Sequence, residues 1–287
     1  MNPPKRLAVA AHPKLPGAVA EARRIARQLS ELLGYKILPT LLYDADLAAR
    51  ITAREVDVLI AVGGDGTMLR ATRLCAPAGV PVLGVNSGHF GFLMEINRGE
   101  STRLLPRLLA GDYWTENRMM LHAVHERDSN FLESFEVINE VVVCRGRIVR
   151  PIRLKASVDG ALLTDYVADG LIAATATGST AYALAAGGPI MPPELRNILI
   201  MPVAPHLSVD RAIILAEGAS VNIQVDTDHE AVFSVDGQPP VSMQTGDGVR
   251  VTAGENTSQF VRFQDRGYFY RNITKYMEQN PSARISS

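Results

Sequence analysis

Apolar runs alternate with amphipathic segments over the first third of the chain. Residues 18–33 place Ile25 and Leu29 on one face, which predicts an amphipathic helix. Gly34 is a signal for the end of this helix, and a second helix is predicted at 67–76. The apolar runs predicted as strands lie at 7–11, 35–38, 56–62 and 82–85. Strands that alternate with helices indicate a parallel sheet covered on both faces.

Shorter apolar runs separated by turns follow after about Trp114. Asp159-Gly160 lies between two of these runs and is a strong signal for a β-hairpin. The predicted strands lie at 135–138, 140–144, 152–158, 171–174, 198–201, 212–215, 221–225, 231–235 and 248–253. Short strands with regular turns are typical of a sandwich. Helical spacing returns at 268–277.

These patterns predict two domains and a returning helix. The fold class is an α/β N-terminal domain with a parallel sheet, followed by a β-rich, sandwich-like C-terminal domain. The predicted domains are 1–117 and 118–265, with a C-terminal helix at 266–280 that packs back on the first domain and a frayed tail at 281–287.

The composition is that of an ordinary soluble protein. The 287 residues are 47% hydrophobic and 21% charged, and the net charge of -1 gives no reason to expect nucleic acid or an anionic membrane as a partner. No segment approaches the roughly 20 apolar residues of a membrane span, and the N-terminus lacks a secretory signal pattern. Cys75 and Cys144 do not form a metal or redox spacing. We therefore expect a cytoplasmic protein with no metal site built from its own side chains.

The most informative motif is the glycine loop Gly63-Gly64-Asp65-Gly66-Thr67, between a predicted strand and a predicted helix. Glycines let backbone N–H groups approach a phosphate, and the helix N-terminus favours negative charge. A carboxylate at Asp65 indicates that the loop also takes a proton from a hydroxyl or holds a metal ion on the phosphates. A helix cap is the simpler alternative. The loop matches neither a Walker A motif nor the dinucleotide fingerprint.

Three other segments place polar residues where a ligand could bind. Loop 86–93 follows the strand at 82–85, so it is expected at the same sheet edge as the glycine loop. Asn139-Glu140 interrupts an apolar run and suits a sugar diol and a base edge, with a β-bulge or a solvated edge as the alternative. The stretch 169–182 runs from a strand into a Thr/Ser/Gly loop, which is either an anion or nucleotide cradle or a Ser/Thr-capped helix.

Weaker candidates lie further along the chain. His206 alone is more often structural than catalytic. Asp236-Gly237 alone predicts a turn. The acidic run 226–230 lacks a metal-loop spacing and is interpreted as a solvated hairpin end.

Together these motifs resemble the NAD kinase family, which phosphorylates NAD to NADP. The order and spacing match over about residues 55–240. The later loop at 177–182 separates this family from lipid kinases and phosphofructokinases, whose first loops are similar. The resemblance rests on 63–67, 86–93, Asn139-Glu140, Asp169-Gly170, 177–182, 187–190, 205–206 and 236–238.

The resemblance implies a site and its ligands. Asp65 is the expected general base, which takes the proton of the adenosine 2′-hydroxyl of NAD as that oxygen attacks the terminal phosphate of the donor. Two other roles for Asp65 stay open, namely holding Mg²⁺ and orienting the hydroxyl. Asn139 and Glu140 match residues that hold the adenosine, and Phe92 matches a wall of the adenine pocket. The other implied binding positions are Gly63, Gly64, Gly66, Thr67, Arg70, Asn86, Arg150, Asp169, Thr177, Thr180, Ala181, Tyr182, Ala185, Ala204 and Gln238.

The resemblance also implies partners. The phosphoryl donor is ATP, another nucleotide or polyphosphate, with Mg²⁺ held mainly by the donor phosphates. The expected assembly is a homodimer or homotetramer.

Three single positions and one three-residue segment depart from the family pattern. Ala176 stands where proline is usual, which predicts a looser loop and weaker NAD binding. Ala185 often is serine, Ala204 frequently is cysteine, and 191–193 replaces a His-Pro pair. None of these changes removes Asp65, so we still expect activity.

Two other functions stay open from the sequence. A kinase of lipid hydroxyls would share the glycine loop, but the near-neutral charge and the lack of an interfacial amphipathic helix count against it. A non-catalytic dinucleotide-binding sensor is the second alternative, and Ala176 and Ala185 are its only hints.

Overall fold

The computed structural model describes residues 1–88, 91–97, 99–206, 209–271 and 273. The chain divides into two compact units. Unit 1 contains Met1–Asn117 and the described part of Ser258–Ser287, and unit 2 is Arg118–Thr257. None of the helices described in these ranges is long and apolar enough to cross a membrane.

Strands outnumber helices, and most strands follow residue 113. The strands are β1 (Leu7–Ala11), β2 (Thr40–Leu41), β3 (Val58–Gly63), β4 (Val82–Asn86), β5 (Trp114–Arg127), β6 (Asn130–Val137), β7 (Glu140–Arg145), β8 (Ile152–Val158), β9 (Ala161–Ala168), β10 (Gly170–Ala174), β11 (Asn197–Val203), β12 (Ile213–Ala216), β13 (Val221–Asp226), β14 (Ala231–Val235), β15 (Val241–Met243) and β16 (Gly248–Arg262). The helices are α1 (Pro16–Leu33), α2 (Ala45–Thr52), α3 (Asp65–Cys75), α4 (Ser101–Leu109) and α5 (Tyr182–Ala185), with 3₁₀ turns at Ala76–Ala78 and Gly178–Thr180.

Unit 1 is built on a parallel sheet in the order β2-β1-β3-β4-β16. Every residue of β1, β3 and β4 is buried, as expected for strands covered on both faces. Ile25 of α1 and Leu105 of α4 belong to one apolar cluster with Val9 and Ile60 of the sheet. The predicted α/β domain with a parallel sheet is confirmed.

One strand prediction in unit 1 is wrong. The run at 35–38 is not a strand, because Leu38 is 68% exposed and the Ile37 N–H donates to Ser30 Oγ instead of a neighbouring strand. The strand in this region is β2, two residues after Leu38. Gly34 ends α1 in the left-handed conformation, as predicted.

Two helices of unit 1 were not predicted. α2 has eight residues and buries only Leu47 and Ile51, so its apolar stripe is too short to be recognised in the sequence. α4 contains Pro106, which usually argues against a helix. α2 is capped by Asp44, whose side chain accepts from the Asp46 N–H, whereas α4 is held by the burial of Leu104, Leu105 and Leu108 despite its proline.

The C-terminal helix begins as the spacing predicts. Residues 268–271 and 273 are helical, and Tyr268 and Phe269 are buried. The remainder of the helix predicted at 268–277 and the predicted tail at 281–287 lie outside the described residues.

Unit 2 consists of two antiparallel sheets. One has the order β12-β11-β10-β7-β14-β15, and the other contains β16-β13-β8-β9, with β5 and β6 paired as well. Inward side chains of both sheets, such as Val143, Phe233, Leu154 and Ile223, form one apolar cluster. The predicted β-rich sandwich is confirmed, and so is the hairpin turn at Asp159-Gly160, where both φ angles are positive.

The strand register in unit 2 brings two motifs of the sequence to one edge. β10 lies between β7 and β11, and Ala174 at its end pairs with Glu140 at the start of β7. Because these strands are antiparallel, the turn before β7 and the loop after β10 meet at the same end of the sheet.

Candidate functional site

The glycine loop of unit 1 joins β3 to α3 in a tight turn. Gly64 is the N-cap of α3, and its carbonyl accepts from the Thr67 N–H at 2.8 Å. The Gly64 N–H donates back to Thr67 Oγ1 at 3.3 Å. A Cβ at Gly63 would overlap the Thr67 side chain, so only glycine lets this hydroxyl close the turn.

Asp65 does not cap the helix, so the simpler alternative for this residue is wrong. Its Oδ2 accepts from the Phe92 N–H at 2.9 Å, and its Oδ1 accepts from the Leu93 N–H at 3.1 Å. Gly91 lies so close that a Cβ there would overlap the Asp65 carboxylate. The carboxylate is therefore fixed in position and orientation by the second loop.

The second loop also bonds to the glycine loop, as the shared sheet edge predicts. The Ser87 N–H donates to the Gly63 carbonyl at 3.0 Å. Asn86 is buried, and its side-chain oxygen accepts from the Gly88 N–H at 2.9 Å. The Asn86 side chain thus shapes the loop.

These loops line a pocket of about 490 Å³ within unit 1. A third contributor, which has no signal in the sequence, is the start of α1, whose Gly17 lies near the Ser87 carbonyl. Two helix N-termini, those of α1 and α3, border the pocket, and both favour an anionic group. The lining residues are 15–18, 63–65, 87–88 and Gly91.

Arg70 is exposed one turn into α3. Its guanidinium carbon lies 5.1 Å from the centre of the Tyr43 ring. This cation–π arrangement holds the Arg70 side chain against the residues that precede α2. The His12 ring meets the same tyrosine edge-on at 6.3 Å. Partial burial and the charge of Arg70 lower the pKa of His12.

In unit 2, the Asn139-Glu140 turn is held by the carboxylate of Asp236. Its Oδ1 accepts from the N–H groups of Asn139 at 2.7 Å and Glu140 at 3.2 Å, and its Oδ2 accepts from that of Ile138 at 3.0 Å. Asp236 and Gly237 both have positive φ, which confirms the predicted turn. The role of Asp236 as a clamp was not predicted, because the Asp-Gly pair indicates only a turn.

Glu140 is neither a bulge residue nor a solvated edge residue, so that alternative is wrong. It is 7% exposed, and its Oε2 has no hydrogen-bond partner in the part of the chain that the structure describes. Burial and then the charge of Asp236 raise the pKa of Glu140 to about 8, against a lowering effect of the Tyr182 N–H. A neutral acid at this position can donate as well as accept a hydrogen bond.

The loop after β10 packs directly on this turn. The Thr175 N–H donates to the Asn139 carbonyl at 2.9 Å, and Thr175 Oγ1 donates to the Ile138 carbonyl at 2.6 Å. Gly178 lies against Asn139 so closely that a Cβ would overlap the Asn139 carbonyl. The turn and the loop therefore form one site. The alternative interpretation, a helix capped by Ser or Thr, does not account for this packing.

The remaining predicted positions of the loop present a partly open surface. Thr177 Oγ1 accepts from Arg118 Nη1 at 3.5 Å, whereas Tyr182 is 44% exposed. Asp169, just before β10, pairs with Arg145 at 2.9 Å between its Oδ1 and Nε. Thr180 and Ala181 are half-buried, and Ala185 is exposed on α5.

Three predicted positions lie beside the turn and loop rather than in them. Ala204 is exposed with a φ of 45° and follows Val203, whose carbonyl accepts from the Asp169 N–H. Gln238 follows the Asp236 turn, and its carbonyl accepts from Ser234 Oγ. Arg150 is exposed before β8, and its carbonyl faces His229 Nε2. Across the described ranges, no group of three or more His, Cys, Asp and Glu side chains could hold a metal ion.

Two models of known protein families match this chain, each over a different part. The model of the ATP-NAD kinase N-terminal domain matches residues 43–113, and that of the ATP-NAD kinase C-terminal domain matches residues 138–263. The NAD kinase of Heliobacterium modesticaldum is 38% identical over 269 residues, which are 90% of this chain and 95% of that protein. The NAD kinase of Dehalococcoides mccartyi strain CBDB1 is 33% identical over 96% of this chain and 97% of its own length.

Two solved structures are similar in fold. Yeast NADH kinase in complex with NADH superposes with a TM-score of 0.84 at 24% identity, covering 100% of this chain and 91% of that one. An NAD kinase from Archaeoglobus fulgidus in complex with ATP superposes with a TM-score of 0.74, also at 24% identity, covering 95% of this chain and 99% of that one.

Proposed function

This chain belongs to the NAD kinase family, and we propose that its two sites divide the reaction, with the pocket of unit 1 taking the phosphoryl donor and the turn and loop of unit 2 taking the dinucleotide. The protein is an NAD kinase, which phosphorylates NAD to NADP. The relatives named above are NAD kinases, and neither the lipid kinase nor the non-catalytic sensor is supported.

We propose that Asp65 is the general base. The observation that carries this role is a carboxylate fixed by two backbone N–H groups on the wall of a pocket that favours anions. The carboxylate takes the proton of the adenosine 2′-hydroxyl of NAD as its oxygen bonds to the terminal phosphorus of the donor. The bond from that phosphorus to the bridging oxygen breaks, and the shortened donor leaves. Phosphoryl transfer depends mainly on positioning, which the fixed carboxylate supplies.

The donor phosphates bind at the glycine loop in this proposal. Gly63, Gly64, Gly66 and Thr67 lie at the N-terminus of α3, where backbone N–H groups and the helix dipole favour phosphate. ATP is the expected donor, and another nucleotide or polyphosphate would present the same phosphates. Arg70 lies one turn further along the same helix and adds positive charge.

Mg²⁺ fits this pocket as a companion of the donor. The pocket offers one carboxylate among backbone groups, a set suited to phosphate rather than to a cage of metal ligands. We therefore propose that the donor phosphates would hold the ion, which would neutralise part of their negative charge.

The dinucleotide binds at the Asn139-Glu140 turn and the loop at 175–182 in this proposal. An amide and a buried acid side by side provide donors and acceptors for a ribose and a base edge. Asp236 holds their main chain, so both side chains start from a fixed backbone. Phe92 is proposed as a wall of the adenine pocket.

The Asp65→Asn variant tests the base role. Purified protein is mixed with NAD, ATP and Mg²⁺, and NADP is detected with an NADP-specific dehydrogenase. We expect the variant to lose about 10²–10⁴-fold in kcat, because amides do not accept the proton. NAD affinity, measured by calorimetry, should stay close to that of the wild type.

An exposed carboxylate gives the matched control. Asp112→Asn removes a surface ion pair to Arg107 in the same unit and should leave kcat unchanged. Near-normal turnover in Asp65→Asn would remove this residue from the base role.

We further propose a homodimer or homotetramer in the cytoplasm, on the strength of the family resemblance. Light scattering after size exclusion would measure the mass in solution. A monomeric mass at the concentration of the activity assay would contradict the assembly.

A further inference from the structure

Unit 1 contains an arginine that is completely buried between two carboxylates. The Arg262 side chain is 1% exposed, and its partners Glu95 and Glu116 are 1% and 7% exposed. Arg262 Nη1 lies 3.2 Å from Glu95 Oε2, and Nε lies 3.0 Å from Glu116 Oε2. The Tyr268 hydroxyl donates to Glu116 from the start of the C-terminal helix. Burial disfavours the guanidinium charge, but the surrounding acidic groups keep the pKa of Arg262 above its usual value.

The same arginine reaches the backbone that holds Asp65. Arg262 Nη1 donates to the Leu93 carbonyl at 3.3 Å, and the Leu93 N–H donates to Asp65 Oδ1 at 3.1 Å. A single residue, Leu93, thus separates the buried cation from the proposed base. Glu95, two positions further on, is the partner of Arg262 in its ion pair.

The segment at 91–93 has no helix or strand of its own to fix it. Its continuation is tied on one side to β4, where the Glu95 and Ile96 N–H groups donate to the Gly84 carbonyl. On the other side Glu95 accepts from the Phe263 N–H at 2.7 Å and from Arg262. Because buried charges stay paired, this arrangement resists displacement of the segment.

We propose that Arg262 is a positioning residue for Asp65, which it serves by fixing the backbone of Leu93 and the carboxylate of Glu95. It touches neither Asp65 nor, in our proposal, the substrates. Its charge holds the segment whose N–H groups at Phe92 and Leu93 orient the carboxylate. This inference rests on the role proposed above for Asp65.

The Arg262→Lys variant tests the proposal, because lysine keeps the charge but cannot bridge Glu116, Glu95 and the Leu93 carbonyl with a planar fork. We expect kcat to fall about tenfold or more, since a small displacement of a catalytic group is costly. The KM for ATP should stay within about twofold, since the glycine-loop contacts proposed for the donor are unchanged. Hydrogen exchange of the peptide that contains Phe92 and Leu93 should become faster.

Arg127→Lys is the matched control. Arg127 makes a two-bond ion pair with the completely buried Asp247 in unit 2, at 2.6 and 2.9 Å. Both variants remove contacts to a buried carboxylate, although Arg127 itself is 39% exposed. The control should lose stability without a change in kcat or in exchange at Phe92 and Leu93.

Glu95→Gln provides a second test that does not remove the cation. The amide keeps one oxygen for the Phe263 N–H, but its NH₂ group then faces Arg262 Nη1, so the ion pair is lost while the cation stays in place. We expect a loss in kcat and faster exchange at Phe92 and Leu93, and both effects should be smaller than in Arg262→Lys. If Arg262→Lys does not fold, this variant decides the question.

The outcomes separate this inference from the proposed function. A folded Arg262→Lys or Glu95→Gln protein with wild-type kcat and wild-type exchange would overturn the positioning role, and so would an equal loss in Arg127→Lys. If instead the Asp65→Asn variant retains full turnover, the assignment of Asp65 as the general base fails. The exchange measurement at Leu93 then still reports whether Arg262 fixes the segment.

Discussion

Gly178 lies against the main chain of Asn139 with no space for a side chain between them. This contact joins the two motifs of unit 2 that are proposed to hold the dinucleotide. The Thr175 bonds to Ile138 and Asn139 reinforce it. The shape of the dinucleotide site thus depends on a position that has no functional group of its own.

Substitution of Gly178 by alanine is expected to separate the loop from the turn. The added Cβ meets the Asn139 carbonyl, which is backbone and can move only if the turn moves. We expect the affinity for NAD, measured by calorimetry, to fall about tenfold or more, with a loss of about 1–3 kcal/mol in the free energy of unfolding. Gly218→Ala is the control, because a Cβ at Gly218 meets nothing within 4 Å. Unchanged NAD affinity in Gly178→Ala would show that the loop does not bind the dinucleotide.

Substitution of Gly91 by alanine is expected to act more on chemistry than on binding. The added Cβ would overlap the Asp65 carboxylate and push it away from the Phe92 and Leu93 N–H groups. We expect kcat to fall about tenfold or more while the affinity for NAD falls less than in Gly178→Ala, because the Asn139-Glu140 turn and the loop at 175–182 are unchanged. Steady-state kinetics together with calorimetry measure the two effects. A variant with normal kcat would mean that the orientation of Asp65 seen here is not required.

Asp236→Asn is expected to loosen the turn that carries Asn139 and Glu140. A carboxylate serves three N–H donors here, whereas an amide has one oxygen and would leave at least one donor unpaired. We expect a loss of about 1–3 kcal/mol in the free energy of unfolding, and weaker NAD binding. Asp228→Asn, at a side chain that is 91% exposed, is the control for the loss of a charge. Equal behaviour of the two variants in denaturant and in calorimetry would contradict the clamp.

The stability of the fold should depend on pH through Glu140. The pKa of this acid rises from its usual 4.5 to about 8 on folding, so between these values the folded state binds more protons than the unfolded state. Its contribution to stability is therefore largest at low pH and is lost as pH rises from about 4.5 to about 8. Glu140→Gln removes this dependence, so the variant should gain on the wild type by on the order of a few kcal/mol between pH 5 and pH 8.

Urea unfolding at both pH values measures this gain. The exposed Glu255 offers a control, and Glu255→Gln should follow the wild type at both pH values. If the difference between Glu140→Gln and the wild type is the same at pH 5 and pH 8, then Glu140 does not carry a raised pKa in the folded protein.

The sequence predicts the elements whose side chains repeat a clear pattern, and the functional motifs that lie next to them. The glycine loop, the Asn139-Glu140 turn and the loop after β10 were all located by a break in an apolar run. Their pairing in unit 2 follows from the register of β7 and β10, which an apolar pattern alone does not specify.

The contacts that fix the site could not be predicted, because they join distant parts of the chain. Arg262 bonds to Leu93, 169 residues earlier, and to Glu116, 146 residues earlier. The sequence around Asp236 indicates only a turn, since an Asp-Gly pair has the same appearance whether its carboxylate is solvated or holds three N–H groups. Long-range polar networks depend on the folded path of the chain, and local residue types do not report that path.

Unit 1 is built from two separate stretches of the chain, and this affects the order in which the units can fold during synthesis. Unit 2 is a single stretch that ends at Thr257, whereas the sheet of unit 1 receives its last strand through the pairing of Phe260 with Val82. A ribosome has therefore made the whole of unit 2 before it adds the residues that complete unit 1. We expect the second unit to fold first, in reverse of the usual N-terminal order. Arg262 emerges later still, so the backbone behind Asp65 is among the last parts of the enzyme to become ordered.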